Sequence, residues 1–133
     1  MGSVALIKST PVLIVDTIEP SLPFWQERLG FSRPVEMPDE GHPRLGFVIL
    51  TNGVVEVMYQ TLTSLEKDMP HQAAAYHGDK THVFIEVEDL DAVAESLDGF
   101  EIVMPRRETF YGSNEIGYRE PGGHYVTFAR LKR

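Results

Sequence analysis

The sequence contains no cysteine, which excludes disulfide bonds, cysteine-ligated zinc and cysteine nucleophiles. Long hydrophobic runs are also missing, because the N-terminal letters MGSVALIKST hold only four consecutive apolar residues before Lys8. That run is too short for the core of a signal peptide or for a membrane-spanning helix. We therefore expect a cytoplasmic protein without a membrane partner.

Basic residues are scarce, with twelve Lys and Arg against twenty Asp and Glu and a formal net charge of −8. Nucleic-acid binding needs clustered basic side chains for phosphate contacts, so it is not expected. An acidic surface attracts cationic ligands, although acidity also serves solubility alone. The sequence also lacks a GxSxG nucleophile elbow, a phosphate-binding glycine loop and an HExxH zinc motif.

The sequence of 133 residues contains an internal repeat. TPVLIVDTIEPSL (10–22) and THVFIEVEDLDAV (81–93) share one pattern, and Gly30-Phe31 in the first copy matches Gly99-Phe100 in the second. Each copy reads as a strand, a short helix that ends at a glycine, and three further strands. The sequence therefore predicts an α+β domain of two tandem βαβββ modules, at about 9–62 and 80–133, joined by a linker at 63–79.

Capping signals set the expected helix boundaries. In the second module Asp89 is a suitable N-cap and Gly99 a suitable stop, and in the first module the helix is expected over 21–29 with its stop at Gly30. In the linker, Thr63 with Glu66 resembles a capping box, and the letters AAAYH (73–77) favour a second helical turn. Arg106 and Arg107 are expected in a solvated turn before the loop that contains FYGS, with contact to an anionic ligand as the alternative.

Four segments resemble the vicinal oxygen chelate superfamily, which includes glyoxalase I, the extradiol dioxygenases and the bleomycin resistance proteins. They are IEPSLPFWQERLGF (18–31), GVVEVMYQ (53–60), THVFIEVEDLDAV (81–93) and GYREPGGHYVTFA (117–129). The resemblance implies a curved, partly closed mixed sheet around a pocket, and a homodimer. It also carries the four metal-ligand positions of that family onto Thr10, Glu56, His82 and Thr127.

Side-chain alternation gives a second view of the same pocket. Alternate residues of a strand share one face, so the polar positions of the four strands gather on one side and the apolar positions pack beneath. His124 is three residues from Thr127 and is expected to face the other way. The aromatic residues of FYGS are candidates to close over a ligand. The candidate ligand-binding residues are Thr10, Glu56, Met58, His82, Phe84, Phe110, Tyr111, Tyr125 and Thr127.

Only Glu56 and His82 among the four implied positions are metal-ligand types, whereas a catalytic zinc takes three protein ligands. We therefore expect no metal. Glu56 and His82 are the candidate catalytic residues, as a general acid/base pair, but the preferred expectation is that they hydrogen-bond each other or threonine hydroxyls, or anchor a ligand. The preferred function is binding of a small cationic or aromatic molecule, as in bleomycin resistance. The alternative is a lyase, isomerase or dioxygenase that uses Zn, Ni, Fe or Mn on Glu56 and His82, and a lesser possibility is a structural or regulatory dimer.

Overall fold

The structure is a computed structural model that describes residues 2–132. It contains two four-stranded sheets and several short helices, which confirms the α+β class and the repeated order of elements. The strands of the first sheet, called sheet A, are β1 (Val12–Val15), β2 (Ser32–Pro38), β3 (Leu45–Thr51) and β4 (Glu56–Thr61). Those of the second, called sheet B, are β5 (His82–Glu86), β6 (Glu101–Glu108), β7 (Asn114–Arg119) and β8 (Tyr125–Arg130). The α-helices are α1 (Leu62–Asp68), α2 (Pro70–Ala75) and α3 (Leu90–Ser96).

The two sheets have the same topology. Sheet A has the order β1-β4-β3-β2 and sheet B the order β5-β8-β7-β6. In each sheet the first and last strands of the module pair in parallel, and the remaining pairs are antiparallel. The sheets are mixed and unclosed. Among residues 2–132, no helix has the length and apolar character that crossing a membrane requires.

A single core lies between the modules and draws on both of them. The hydrophobic core residues occupy alternate positions along the strands, as the period of two requires. In sheet A they are Leu13, Val15, Val48, Leu50, Val57 and Tyr59, and in sheet B they are Ile85, Ile116, Tyr118, Val126 and Phe128. Each sheet therefore has one face in the shared core and one face directed away from it.

The helix of the first module differs in detail from the prediction over 21–29. It consists of a 3₁₀ turn at Glu19–Ser21 followed by a π-helical segment at Pro23–Arg28. Pro20 and Pro23 lack the backbone donors that a regular α-helix would use in this stretch. Gly30 adopts φ +74° after the segment, so it is the predicted stop.

Two aromatic residues of this segment, Phe24 and Trp25, are fully buried in the core. The Trp25 indole Nε1 donates a hydrogen bond of 2.8 Å to the hydroxyl of Tyr59, and burial is the main reason that the pKa of Tyr59 lies well above 10.0. The rings of Phe24 and Phe100 stack edge to face at 5.3 Å, which joins the helical segment to the second module. Trp25 and Tyr59 are therefore core residues.

His124 is fully buried between the modules, on the core side as the alternation predicted. Its Nδ1 accepts a hydrogen bond of 2.9 Å from the backbone of Thr81, and its Nε2 lies 2.7 Å from the carbonyl oxygen of Ile14 in β1. A carbonyl can only accept, so Nε2 carries the proton and the ring is neutral. Burial is the largest cause that lowers the pKa of His124.

Three boundary predictions were wrong. The N-cap of α1 is Thr61, whose hydroxyl accepts from the Ser64 amide at 3.1 Å, so the helix begins before the predicted capping box at Thr63. The helix α2 starts at Pro70 and ends at Ala75, which leaves Tyr76 and His77 outside it. Strand β6 continues to Glu108 because it pairs with β7, so Arg106 and Arg107 are strand residues and not part of a turn.

Candidate functional site

The candidate residues lie on the faces of the sheets that point away from the shared core. These faces are called open face A and open face B. Open face A is formed by Thr10, Val12, Ile14, Val35, Met37, Phe47, Ile49, Thr51, Glu56, Met58 and Gln60. Open face B is formed by His82, Phe84, Glu86, Glu101, Met104, Arg107, Glu115, Gly117, Arg119, Tyr125, Thr127 and Ala129.

The strand registers show which positions of the two faces are equivalent. In sheet A, Val12 lies opposite Met58, and in sheet B, Phe84 lies opposite Thr127. Thr10 and His82 precede Val12 and Phe84 by two residues, in agreement with the repeat. The counterpart of Thr127 is therefore Met58, and the counterpart of Glu56 is Tyr125. The placement of Glu56 at the position equivalent to Thr127 was wrong by two residues.

Glu56 is held by two partners from the segment that precedes β1. Lys8 donates from Nζ to Oε2 at 2.8 Å, and the Thr10 hydroxyl donates to Oε1 at 2.9 Å. The hydrogen bond from Lys8 is the largest cause that lowers the pKa of Glu56 below 4.5, and the one from Thr10 adds to it. Glu56 is thus an ionised carboxylate with both oxygens engaged, which makes it a poor candidate for a general base.

His82 is exposed at the start of β5 and stacks on Tyr125 of the neighbouring strand. Their ring centroids are 4.9 Å apart with planes inclined by 18°. The guanidinium carbon of Arg119, on the next strand, lies 5.6 Å from the centroid of the same Tyr125 ring, and Arg119 pairs with Glu101 at 3.4 Å. Neighbouring residues on the four strands of sheet B thus form one row, which consists of His82, Tyr125, Arg119 and Glu101. It presents aromatic and cationic groups together.

The loop between β6 and β7 folds over the far end of open face B. The hydroxyl of Tyr111 donates to the carboxylate of Glu115, which also accepts from Ser113 Oγ at 2.9 Å and from Arg107 at 3.2 Å. Phe110 at the tip is fully exposed. Of the two aromatic candidates in FYGS, Tyr111 is therefore tied to the sheet, and Phe110 projects into solvent.

Three buried carboxylates, Asp39, Glu115 and Glu120, were not among the sequence candidates. Burial alone would raise the pKa of Glu115, but hydrogen bonds from Tyr111, Ser113 and Arg107 lower it below 4.5. The pattern of alternate residues in NEIGYR could have placed Glu115 on the face of Arg119. No such signal exists for Asp39, because it lies in the loop after β2.

Asp39 is buried against the start of α1. Its Oδ2 accepts from Thr63 at 2.6 Å, from Thr61 at 2.9 Å and from Arg44 Nε at 2.9 Å, whereas Oδ1 has no hydrogen-bond partner within residues 2–132. Burial acts to raise the pKa of Asp39, and the three hydrogen bonds lower it below 3.8. Asp39 therefore stays ionised inside the protein.

By the repeat and these registers, Thr10 of sheet A corresponds to His82 of sheet B, and Met58 corresponds to Thr127. These four are therefore the positions to consider as metal ligands. One imidazole, two hydroxyls and a thioether do not fit a catalytic divalent cation, which takes three nitrogen, thiolate or carboxylate ligands. Across residues 2–132, no group of three or more His, Asp and Glu side chains is arranged to hold a metal ion. Glu56 lies in the neighbouring row and is already paired with Lys8.

Comparison with known proteins agrees with this architecture. The family described as the glyoxalase/bleomycin resistance protein/dioxygenase superfamily matches residues 7–128. No curated protein sequence matches the chain.

Solved structures of low sequence identity share the fold. A glyoxalase/bleomycin resistance protein/dioxygenase from Nocardioides is 20% identical with a TM-score of 0.74, over 97% of this chain and 86% of that one. A lactoylglutathione lyase from Agrobacterium tumefaciens is 14% identical with a TM-score of 0.72, over 93% and 92% of the two chains. The bleomycin-binding protein of bleomycin-producing Streptomyces verticillus, solved with copper(II)-bleomycin, is 23% identical with a TM-score of 0.65, over 98% and 100%. Because the family match extends over nearly the whole chain, this protein belongs to the glyoxalase/bleomycin resistance protein/dioxygenase superfamily.

Proposed function

We propose that this protein binds a small cationic or aromatic molecule without a catalytic metal. The observation that carries the proposal is the side-chain chemistry of the central row of each open face. That row contains Val12 and Met58 on open face A and Phe84 and Thr127 on open face B. Such a surface suits apolar and aromatic contact with a few polar groups, as ligand pockets do. Bleomycin binding by the Streptomyces verticillus relative supports the class of function.

The pocket is proposed to form between two copies of the chain, with open face A of one copy covering open face B of the other. Phe84 is 55% exposed and Val12 is 40% exposed, and both lie on strands β5 and β1 at sheet edges. Exposed apolar side chains and unpaired strand edges are commonly covered by a twofold partner. The dimer therefore serves both to bury these faces and to enclose the ligand.

The ligand is proposed to stack on the pair formed by His82 and Tyr125, with Phe84 beside it. The net charge of −8 favours a cationic molecule by attraction over the whole surface. Glu56 supplies a negative charge on the opposite face, although Lys8 neutralises most of its effect. The biological role that we propose is sequestration of such a compound in the cytoplasm, as in antibiotic resistance.

The competing proposal is a metal-dependent enzyme, favoured by the exposed imidazole of His82 and by the fold shared with the lactoylglutathione lyase. It needs at least two further ligands around His82. Metal analysis of protein purified without added metal separates the two proposals. About one bound Zn, Ni, Fe or Mn per chain would support the enzyme and contradict the binder.

The binding proposal is tested with the substitution Phe84→Lys, which places a charge in the centre of open face B. We expect the variant to be less dimeric by light scattering, and to lose the thermal stabilisation that the parent gains from its ligands in a screen of cationic drugs and aromatic metabolites. The matched control is Ile102→Lys. Ile102 on β6 is 51% exposed, but it lies opposite the core residue Tyr118 and is therefore not part of open face B. Equal dimerisation and equal ligand response in the parent and in Phe84→Lys would refute the composite pocket.

A further inference from the structure

A cavity of about 510 Å³ lies at the far end of open face A, between β2, β3 and α1. Its size falls in the range of small-molecule sites. The floor is apolar and the rim facing α1 is polar. The floor consists of Val35, Met37 and Phe47, and the polar side consists of Gln60, Ser64 and Asp68.

The polar side of this cavity is predominantly acidic. Asp68 is exposed at the end of α1, Glu40 also lines the cavity, and the charge of the buried Asp39 is paired with Arg44 at 2.9 Å. The one lysine that lines the cavity, Lys67, has its Nζ bonded to the carbonyl oxygen of Glu40 at 2.6 Å. The cavity therefore combines a negative potential with an apolar floor.

The polar groups are positioned by contacts within the chain. The Gln60 amide donates to Ser64 Oγ at 3.2 Å and reaches Asp68 Oδ2 at 3.4 Å, which orients Asp68 along the rim. Asp39 Oδ1 is buried and offers no surface to a ligand, so the carboxylate that a ligand can reach at this rim is Asp68. A donor brought to Asp68 finds an acceptor and a negative charge there, whereas an anion would meet repulsion.

We propose that this cavity binds an amphipathic primary amine, with the apolar body on Met37 and Phe47 and the ammonium group against Asp68. The floor of this cavity belongs to open face A, but every residue that lines it comes from one chain, so the site goes beyond the function proposed above and does not need a second copy. An ammonium group suits the rim because it offers three donors and one positive charge. The 510 Å³ volume accommodates a phenylalkyl chain on the floor.

The test uses phenylbutylamine as the probe, with phenylbutanol and phenylbutyrate as matched neutral and anionic compounds of the same apolar body. Calorimetry should show the amine binding at least about tenfold more tightly than the alcohol, the size of one charge-assisted contact. NMR of the methionine methyl groups should show that the amine shifts the Met37 signal. An alcohol that binds as tightly as the amine, or an amine that does not bind, would overturn the proposal.

Variants place the ammonium group and separate this cavity from the paired faces. Asp68→Asn should weaken amine binding about tenfold, whereas Glu66→Gln, the same loss of charge at an exposed position of the same helix, should leave it unchanged. Met37→Thr should weaken it by loss of apolar contact. Phe84→Lys should not abolish amine binding, because Phe84 does not line this cavity. Amine binding that survives Asp68→Asn unchanged, or that is abolished by Phe84→Lys, would refute this cavity as the site.

Discussion

At equivalent positions the two open faces carry different side chains. The row Val35, Ile49 and Met58 on open face A corresponds to Met104, Gly117 and Thr127 on open face B. In the next row towards the loops, Met37, Phe47 and Gln60 correspond to Arg107, Glu115 and Ala129. Open face A is thus largely apolar, and open face B carries most of the charge.

The core faces of the same strands have not diverged in this way. They carry Val57 and Tyr59 in β4 and Val126 and Phe128 in β8, all buried in one core. A substitution there must fit the packing of both modules, so shape and polarity are restricted. The open faces have no such constraint within one chain. The comparison shows that the repeat preserves the scaffold, and that function is to be sought where the repeat breaks down.

The largest change is expected when metal ligands are introduced at the equivalent rows. Thr10→His with Met58→Glu and Thr127→Glu, together with the existing His82, gives two imidazoles and two carboxylates. If the open faces meet in the dimer as proposed, this triple variant should bind Zn or Ni at least about a thousandfold more tightly than the parent, by about 4 kcal/mol. Calorimetry with each ion measures the gain.

The control for this design is the double variant Thr10→His with Thr127→Glu, which relies on Glu56 as the carboxylate of sheet A. It should gain much less affinity, because Glu56 lies in the row of Tyr125 and is engaged by Lys8 and Thr10. Equal affinities in the two variants would contradict the equivalence of Met58 and Thr127. If neither variant gains affinity, the open faces do not meet.

The next largest effect is expected on stability when Asp39, a buried carboxylate of module one, is removed. Asp39 receives hydrogen bonds from Thr61 and Thr63, more than twenty residues away, so it fastens the β2–β3 loop to the start of α1. Asp39→Ala leaves these donors and Arg44 without their acceptor, and should lower the free energy of unfolding by about 3 kcal/mol. Urea denaturation measures the loss. The neighbouring exposed Glu40→Gln should change it by less than about 0.5 kcal/mol.

The pH dependence of Asp39 has a definite sign. Its pKa in the folded state lies below the ordinary 3.8, so the stability that its ionisation contributes is present above pH 3.8 and is lost as the pH falls through the lowered pKa. The parent should therefore lose stability at acid pH more steeply than Asp39→Ala. Parallel acid profiles of the two proteins would contradict an ionised Asp39.

The boundary between the modules should respond to mildly acidic pH through His124. Burial lowers the pKa of this histidine below 6.5, and its Nδ1 already accepts the Thr81 amide, so protonation would break that bond. As the pH falls below 6.5 the unfolded chain gains the proton first, and stability declines until the lowered pKa is passed.

Denaturation midpoints at pH 7 and pH 5 measure this effect. The decline should be smaller in His124→Leu, which cannot titrate, and should persist in the exposed control His82→Gln. Module one has Val55 at the position equivalent to His124, so no matching histidine exists there. Identical losses in the parent and in His124→Leu would show that the decline has another source.

Local signals in the sequence were sufficient for much of the fold. Asp89 caps α3 by accepting from Ala92 at 3.0 Å, and the alternation of strand residues placed His124 in the core. The equivalence of Glu56 and Thr127 failed because a shift of two residues leaves every side chain on the same face. Alternation cannot detect such a shift, and only the parallel pairing of β1 with β4 and of β5 with β8 reveals it.

The start of α1 shows a second limit of sequence reasoning. Thr61 and Thr63 are both acceptable N-caps by composition. Thr63 is instead engaged by Asp39 and Arg44 from the β2–β3 loop, and Thr61 caps the helix. A contact between residues that are distant along the chain decided between two locally equal choices. The same reasoning explains why Asp39 itself was missed.

The smallest effect is expected for Glu115, the buried carboxylate on open face B of module two. All its partners, Arg107, Tyr111 and Ser113, lie within eight residues, so it stabilises the β6–β7 hairpin and not the contact between distant elements. Glu115→Gln should lower the free energy of unfolding by only about 1 kcal/mol. Hydrogen exchange should instead quicken at the hairpin amides of Thr109 and Gly112, which bond within the loop.

The exposed Glu108→Gln, on the same hairpin, serves as the control and should alter neither quantity. The contrast with Asp39 depends on the separation of the partners along the chain, because a local network can open without unfolding the core, whereas a distant one cannot. A global loss in Glu115→Gln as large as that in Asp39→Ala would show that the hairpin and the core unfold as one unit. Faster exchange confined to the hairpin would instead support the view that open face B ends in a segment able to open independently of the core.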